Sequence, residues 1–487
     1  MKKYILGIDE GTTSTRAVLY DAVKNRIVDI SQNSIKQFYP EPSYVEQDAK
    51  QIYTAVTSSM RGVLRNNNIS ADEIIGVGLT NQRETIVAFD AETGEPIYNA
   101  IVWQCKRTAN YIESLPKKMK ETIRQKTGLI PDAYFSASKM KWLLENVPSA
   151  KILANKGTLR IGTIDAYLAY KLTGNFVTDT TNASRTMLFN IHDLCWDADL
   201  LKFFGIDINM LPKVVSSNST IGKIQILGDV DLCSIIGDQQ SSLLGQGCIK
   251  PGMAKNTYGT GAFILMNIGS TPTINSNKML TTIGFTVGNK TIYALEGSIF
   301  SVSSAINWLK NDLRLFNDFT TLENMANDLP NNQGVYFVPA FSGLGAPYWN
   351  QTAKGTIVGL TLDSDRRHLA RAVLESIAYN TKAIIDEIKT TGIKLNELTV
   401  DGGASKNNFL MQFQADILNT PVKRQSNSEA TVLGAIYLVA INKKLIKLTD
   451  IPKLIQKGDN FKPQMSITER EQLYSGWEKA VQKACKE

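Results

Sequence analysis

Histidine is nearly missing: His192 and His368 are the only two among 487 residues. Sites that gather several imidazoles around a metal are thereby excluded, and a serine-hydrolase triad is disfavoured. Both histidines stand in settings that suggest local structure, His192 near a turn after Asn190-Ile191 and His368 at the opening of a helix beside Arg366 and Arg367. Cysteine is scarce as well. The five, Cys105, Cys195, Cys233, Cys248 and Cys485, are odd in number and widely spaced with no pair at zinc-ligand spacing, so reduced thiols are expected. No apolar run is long enough to span a bilayer, since the longest, Val432 to Ile441, contains Gly434. The run after Lys2-Lys3 meets Asp9 too early for a secretory leader. A soluble, cytoplasmic protein without membrane insertion is therefore predicted. Basic residues exceed acidic ones by only 53 to 46. The excess is scattered, and runs such as Lys117-Lys118-Met119-Lys120 carry no aromatic platform, so nucleic acid is not an expected partner. Two nucleotide signatures are also absent. No glycine loop closes in Gly-Lys-Ser/Thr, and Gly259-Thr260-Gly261 lacks the third glycine of a dinucleotide fingerprint.

What is present begins with Ile8-Asp9-Glu10-Gly11-Thr12-Thr13-Ser14-Thr15-Arg16, flanked by the apolar runs Tyr4 to Ile8 and Ala17 to Tyr20. The pattern predicts a β-hairpin whose turn holds carboxylate, glycine and four consecutive hydroxyls. Such a turn can bring backbone N–H groups and hydroxyls to phosphate oxygens, with Asp9 placed for a hard cation; an ordinary Thr-rich hairpin is the plain alternative. A strand at Ile74 to Thr80 stops in Asn81-Gln82-Arg83-Glu84, and strand ends in α/β sheets are where ligands sit, so Arg83 and Glu84 are candidates to grip a polar substrate. Ile101 to Gln104 reads as a strand that offers Trp103 as an apolar wall. Tyr134 precedes a helix expected to open on a Ser136 cap. In Gly237-Asp238-Gln239-Gln240 an acid beside two amides suits general-base work, although capping the next helix would explain Asp238 equally well.

The length calls for two or three domains, and glycines between Gly245 and Gly252 mark a change of theme. Beyond it Tyr258-Gly259-Thr260-Gly261 repeats the hairpin-turn motif, which suggests a duplicated fold closing on one polyphosphate. Further helices are expected at Gln47 to Leu64, Ser303 to Leu313, Arg366 to Ile388 and Thr431 to Ile441, where Gly434 and Ala435 would allow close packing. A strand is expected at Gly355 to Leu362. Leu398 to Asn408 reads as strand, double-glycine turn and helix, able to take a ring or a phosphate.

Taken together, these stretches resemble the FGGY family of carbohydrate kinases, and within it the members that phosphorylate glycerol. The likeness runs through Asp9 to Ser14, Asn81 to Thr85, Asn99 to Cys105, Tyr134 to Ser136, Thr181 to Asn190, Gly237 to Gln240, Lys255 to Gly261, Gly343 to Trp349, Asp401 to Ala404 and Asn408 to Gln414. The resemblance implies an α/β, duplicated actin-like ATPase (ribonuclease H-like) fold, with domains at 1–247 and 248–487 around a deep cleft. It implies transfer of the γ-phosphoryl of ATP to glycerol with Mg²⁺. By position, Arg83, Glu84, Trp103, Tyr134, Asp238 and Gln239 correspond to the glycerol side, with Asp238 as base and Asp9 organising Mg²⁺. Thr12, Thr13, Ser14 and Arg16 correspond to the first phosphate loop, Thr260 to the second, and Ser303, Asn307, Gly403 and Asn407 to the nucleotide pocket. Glycerol and ATP are the partners implied, and a homo-oligomer, dimer or tetramer, is compatible. Another polyol or pentulose kinase, or a nucleotide-dependent binding module of the same fold, is the competing reading. Three features depart from the family's pattern. Glu10 stands for glutamine and adds a charge near a polyphosphate, Ser303 stands for glycine and Asn307 for glutamine, and the loop Ser219 to Cys233 lacks an anion site for sugar-phosphate feedback.

Overall fold

The computed structural model describes residues 2–274, 278–426, 429–456 and 458–486. Each half of the chain is organised by one mixed β-sheet. In the first, β1 (Tyr4–Glu10) and β2 (Ser14–Asp21) form the expected hairpin, and β3 (Arg26–Ser34) lies antiparallel beside β2. On the other side of β1 run β4 (Ile74–Asn81) and then β5 (Asp231–Gly237), both parallel to it. The second sheet repeats the plan. Its hairpin is β6 (Met253–Tyr258) and β7 (Ala262–Gly269), flanked beyond β7 by β9 (Lys290–Ile299) with β8 (Leu280–Val287) outside it. Parallel to β6 runs β10 (Glu397–Gly402). Parallel strands covered on both faces read as nearly continuous apolar runs, and β1, β4 and β5 do so until their last residues. Register then aligns those polar ends: Glu10 faces Asn81, and Asn81 faces Gly237.

Seven helices matter for the site. α1 (Ala49–Asn66) packs on β2 and β3. α2 (Ser136–Asn146) covers a smaller sheet that includes Ile86–Asp90 and Ala100–Ile101. α3 (Asp238–Gly245) follows β5 directly. In the second half come α4 (Ser303–Asn307), α5 (Arg366–Lys389), α6 (Asn408–Leu418) and α7 (Ala430–Asn442). Val373, Leu374 and Ile377 of α5 enter the second core with Tyr258, Leu398 and Leu410. The first core holds Leu6, Ile8, Val77, Leu79 and Ile235. A third cluster joins the halves: Ile5, Val18, Ile236 and Leu244 meet Phe285, Val432 and Ile436. Among the described residues no helix is long and apolar enough to cross a membrane.

Several expected elements come out differently, each for a local reason. α1 starts at Ala49, because the Asp48 carboxylate accepts from the Lys50 N–H at 2.8 Å and caps it, leaving Gln47 in a short strand. The strand expected through Gln104 stops at Ile101, since the chain turns to let the Trp103 N–H donate to Thr85 Oγ1 at 3.2 Å. Ser136 does not cap α2; Phe135 takes that place, and the Ser136 hydroxyl donates to the Glu84 carbonyl at 3.0 Å. The strand at Gly355 to Leu362 shrinks to Thr356–Val358, broken by Gly359 at φ +85°, where any Cβ would lie 1.8 Å from the Gly334 carbonyl oxygen. The helix from Ser303 is α only to Asn307 and then widens into a π turn over Trp308–Asp312.

α3 and α7 cross at their glycines, in keeping with the close packing that Gly434 and Ala435 led one to expect. A methyl on Gly434 would sit 2.0 Å from the Ser241 carbonyl oxygen, and one on Gly245 would sit 1.9 Å from that of Ala430. Glycine to alanine inside a helix ordinarily stabilises by about 1 kcal/mol. Here overpacking reverses the sign, and Gly434→Ala is expected to destabilise by about 1–3 kcal/mol, seen as a lower urea midpoint. A raised midpoint would refute the close crossing.

Candidate functional site

The C-terminal ends of β1, β4 and β5 place Asp9-Glu10, Asn81 to Glu84 and Gly237-Asp238 side by side. At their centre Arg83 is enclosed by acids from three elements. Its Nη1 and Nη2 donate to the Glu296 carboxylate of β9 at 2.7 and 3.2 Å, and Nε faces Asp238 Oδ1 at 3.2 Å. Nη1 also reaches Gln240 Oε1 at 3.3 Å, and Nη2 reaches the Tyr134 hydroxyl at 3.4 Å. A second arginine completes the arrangement: Arg185 Nε donates to Glu84 Oε1 at 2.5 Å, and Nη2 to Glu296 Oε1 at 3.1 Å. None of the four charged residues is more than 3% exposed. Burial works against the Glu296 charge, yet Arg185 and Arg83 overcome it and hold that carboxyl down to about 2. Glu84 adopts φ +62°, a left-handed conformation that costs a non-glycine residue about 1–2 kcal/mol. The Ser136 hydroxyl on its carbonyl and Arg185 on its side chain keep it there.

Asp238 is the first residue of α3, while Gly237 takes the cap position. Its Oδ1 accepts from the Gln239 N–H at 2.6 Å and its Oδ2 from Gln239 Nε2 at 3.3 Å. The apolar wall is formed by Trp103 and Tyr134, whose rings meet edge to face at 5.5 Å. Buried Lys139 donates to the Tyr134 carbonyl at 2.7 Å and the Trp103 carbonyl at 3.4 Å. The Trp103 indole donates to Thr12 Oγ1 at 3.0 Å, tying the wall to the first turn.

In that turn the Gly11 N–H meets the Ser14 carbonyl at 3.0 Å and Thr13 is exposed. Arg16 is held on both sides, donating to Asp9 Oδ2 at 2.7 Å and Glu429 Oε2 at 2.9 Å. Burial first, then the Asp238 and Glu429 charges, push the Asp9 carboxyl up to about 6 against the pull of Arg16. Burial also drives Glu10 well above the carboxylate range, with Asp9 and Asp238 adding to it. One of the Glu10 oxygens accepts from Gln82 Nε2 at 2.9 Å; the other is buried with no partner among the described residues.

The second turn is tight, with the Gly259 N–H on the Gly261 carbonyl at 2.8 Å and Thr260 exposed. α4 begins against it, the Ser303 N–H donating to the Gly259 carbonyl at 3.3 Å, whereas Asn307 is exposed at the far end of the helix. Gly402, at φ +89°, is paired so closely to Tyr258 that a Cβ would fall 2.2 Å from its carbonyl oxygen, while Gly403 opens onto free space. Asn407 caps α6 by accepting from the Leu410 N–H at 2.8 Å, and its buried Nδ2 has no partner among the described residues. The structure thus gathers Arg83, Glu84, Trp103, Tyr134, Asp238 and Gln239 into one connected cluster and sets Thr260, Ser303 and Gly403 around the second turn. His368 serves the Asp365 cap of α5, and the His192 ring meets the Gln125 carbonyl at 3.0 Å.

Arg185, Glu296, Lys255, Lys139 and Glu429 were not read from the sequence as members of the site. A signal existed for two of them. Glu296 and Lys255 interrupt core strands, and a buried charge demands a partner; which partner it finds is settled only in space. Among the described residues no three His, Cys, Asp or Glu side chains converge as a metal cage.

Comparisons with known proteins agree along the whole chain. Profiles of the FGGY family of carbohydrate kinases match twice, the N-terminal domain over residues 4–245 and the C-terminal domain over residues 254–442. The glycerol kinase of Symbiobacterium thermophilum is 47% identical over 494 aligned residues, covering 99% of this chain and 98% of the relative. That of Thermococcus gammatolerans is also 47% identical, with 99% and 98% covered. A crystal structure of Plasmodium falciparum glycerol kinase with ADP matches with a TM-score of 0.94 at 36% identity, over 99% of this chain and 98% of that one. A gluconate kinase from Lactobacillus acidophilus, at 24% identity and a TM-score of 0.89 over 100% and 99% of the two chains, shares the fold.

The four-charge cluster makes a measurable demand. Removing one partner of a buried ion network typically costs about 3–5 kcal/mol, so Glu296→Gln should lose that much in urea unfolding at pH 7. The Glu296 carboxyl lies lower in the folded chain than its ordinary value of about 4.3. Its contribution is therefore complete above about pH 4.3 and fades as pH falls toward about 2. The wild type should lose stability across that window faster than Glu296→Gln; parallel curves would contradict the assignment.

Proposed function

This chain belongs to the FGGY family of carbohydrate kinases, and from that premise we infer that it transfers the γ-phosphoryl group of ATP to glycerol, giving glycerol 3-phosphate and ADP. Its two repeated sheets are those of the duplicated actin-like ATPase fold. The observation that carries the reading is the convergence of Glu84 and Asp238 on Arg83, with the Trp103 and Tyr134 rings joined to it through the Tyr134 hydroxyl. A three-carbon triol needs hydroxyl partners on one side and apolar contact for its carbons on the other. Arg83 and Glu84 supply the first and the two rings the second.

Phosphoryl transfer depends on positioning and charge neutralisation more than on covalent help from the protein. Asp238 serves as general base: Arg83 occupies Oδ1, while Oδ2 has only the 3.3 Å bond from Gln239 and can accept the proton of the reacting hydroxyl. Thr12, Thr13 and Ser14 with the first turn, and Thr260 with the second, are placed to receive phosphate oxygens. Arg16 holds Asp9 in the first loop. Ser303, Asn307, Gly403 and Asn407 bound the adenosine. Asp9 would hold Mg²⁺. The buried Asp9 carboxylate, crowded by Asp238 and Glu429 and countered by Arg16 at one oxygen, suits a cation that takes one or two carboxylates and fills its remaining positions with water and phosphate. When bound, the ion neutralises phosphate charge. Water is a smaller acceptor than glycerol, so the site must exclude it during transfer. The domain division is set at 247/248, within the glycine-rich stretch Gly245 to Gly252, and the five unpaired thiols support a cytoplasmic setting.

Purified protein with glycerol and Mg-ATP should release ADP in a coupled assay and form glycerol 3-phosphate; no product would refute the function. Asp238→Asn should lower kcat by about 10²- to 10⁴-fold while glycerol still binds, and near-normal turnover would remove Asp238 from the role of base. For the nucleotide side, Ser303→Gly combined with Asn307→Gln should lower the KM for ATP or sharpen its preference over GTP. An unchanged KM and preference would make those two departures neutral.

A further inference from the structure

We propose that Lys255 is a positioning residue of the transfer reaction: from β6 in the second half of the chain it fixes the Gln239 amide and, through that amide, the Asp238 carboxylate. The proposal rests on the glycerol-phosphorylation reading and adds a residue which that reading leaves unused.

Lys255 is fully buried. Its ammonium donates to Gln239 Oε1 and, at 3.0 Å, to Thr257 Oγ1. An ammonium can only donate, so the amide must turn its oxygen toward Lys255. The amide nitrogen then has one direction left, and it donates to Asp238 Oδ2 at 3.3 Å. With Oδ1 taken by the Gln239 N–H at 2.6 Å and Arg83 Nε at 3.2 Å, this relay sets the remaining oxygen of the base. Without a donor at Lys255 the amide is free to flip, and its oxygen would then face the carboxylate and repel it.

The charges facing Lys255 come from every side: Asp401 on β10, Asp238 on α3, Glu296 on β9 and Arg83 beyond β4. Burial lowers the ammonium to about 8, opposed by the three acids and assisted by Arg83. At neutral pH the lysine is therefore mainly charged. Above about pH 8 it becomes an amine that can also accept, and the direction of the relay is no longer enforced.

The test measures kcat and KM from pH 6.5 to 9.5 for the wild type, Lys255→Arg, Lys255→Met and Lys139→Arg. Lys139 is the control because it is the other lysine at the site that burial lowers to about 8. Wild-type kcat should decline above about pH 8. Lys255→Arg should retain turnover within about tenfold and lose the decline, since a guanidinium stays protonated; Lys139→Arg should keep it. Lys255→Met should lower kcat by about 10- to 100-fold, the loss of one charge-assisted hydrogen bond, with the KM for ATP within about threefold. If the methionine variant does not fold, the arginine variant and its pH profile still decide. A decline that persists in Lys255→Arg, or vanishes in Lys139→Arg instead, overturns the role of Lys255, as does normal kcat in Lys255→Met. Absence of glycerol 3-phosphate with the wild type overturns the glycerol reading and this proposal with it, whereas turnover with an unmoved alkaline limb overturns the proposal alone.

Discussion

Two arginines and two glutamates sealed from water hold the pocket together, and the rest of the site is arranged around their mutual neutralisation. Any one of them alone would be prohibitively costly to bury, and as a set they become tolerable only because nearly every charge meets an opposite one at hydrogen-bonding distance. Arg83, Glu84 and Arg185 come from the first half of the chain and Glu296 from a strand of the second sheet. Arg83 is thus held by both halves at once, and the charge cluster exists only where the two sheets meet. The strained backbone at Glu84 belongs to the same bargain: it is the conformation that lets adjacent Arg83 and Glu84 both face inward and find their partners.

Moving from that cluster toward the two glycine- and hydroxyl-bearing turns, the balance of charge shifts to negative. Asp9, Glu10, Asp238, Asp401 and Glu429 crowd the region, countered mainly by Arg16 and Lys255. Burial raises Asp9, Glu10 and Asp401, and Asp401 keeps one buried oxygen without a partner among the described residues. Such a gathering of carboxylates, with one oxygen each of Glu10 and Asp401 left without a partner among the described residues, is an environment that a hard cation would relieve. Arg16 organises this side by bridging Asp9 and Glu429, two residues that lie far apart along the chain.

Much of this was legible in advance. Runs of apolar residues ending in polar clusters marked β1 and β4, the hydroxyl-rich turn announced itself by composition, and helical periodicity over Arg366 to Ile388 marked α5, whereas β5 lay in a stretch that read as loop. Gly434 and Ala435 pointed to a close helix crossing. What misled was equally local. Ser136 looked like a cap because its hydroxyl could serve the helix, but a carbonyl 52 positions away in sequence claimed it. Ile101 to Gln104 looked like a strand because its residues favour one, but Thr85 and Thr12 drew Trp103 out of line.

Periodicity and turn chemistry, which act between near neighbours, determined the elements, their order and the residue types at each strand end; that much the chain specifies without knowledge of its fold. The partners of those residues were decided only by tertiary structure. Arg83 finds Glu296 across 213 positions and Arg185 finds Glu84 across 101. A buried charge requires an opposite charge but places no condition on where along the chain it comes from. Which carboxylate neutralises which arginine, and which way the Gln239 amide points, therefore depend on how the two sheets pack rather than on any pattern along the sequence.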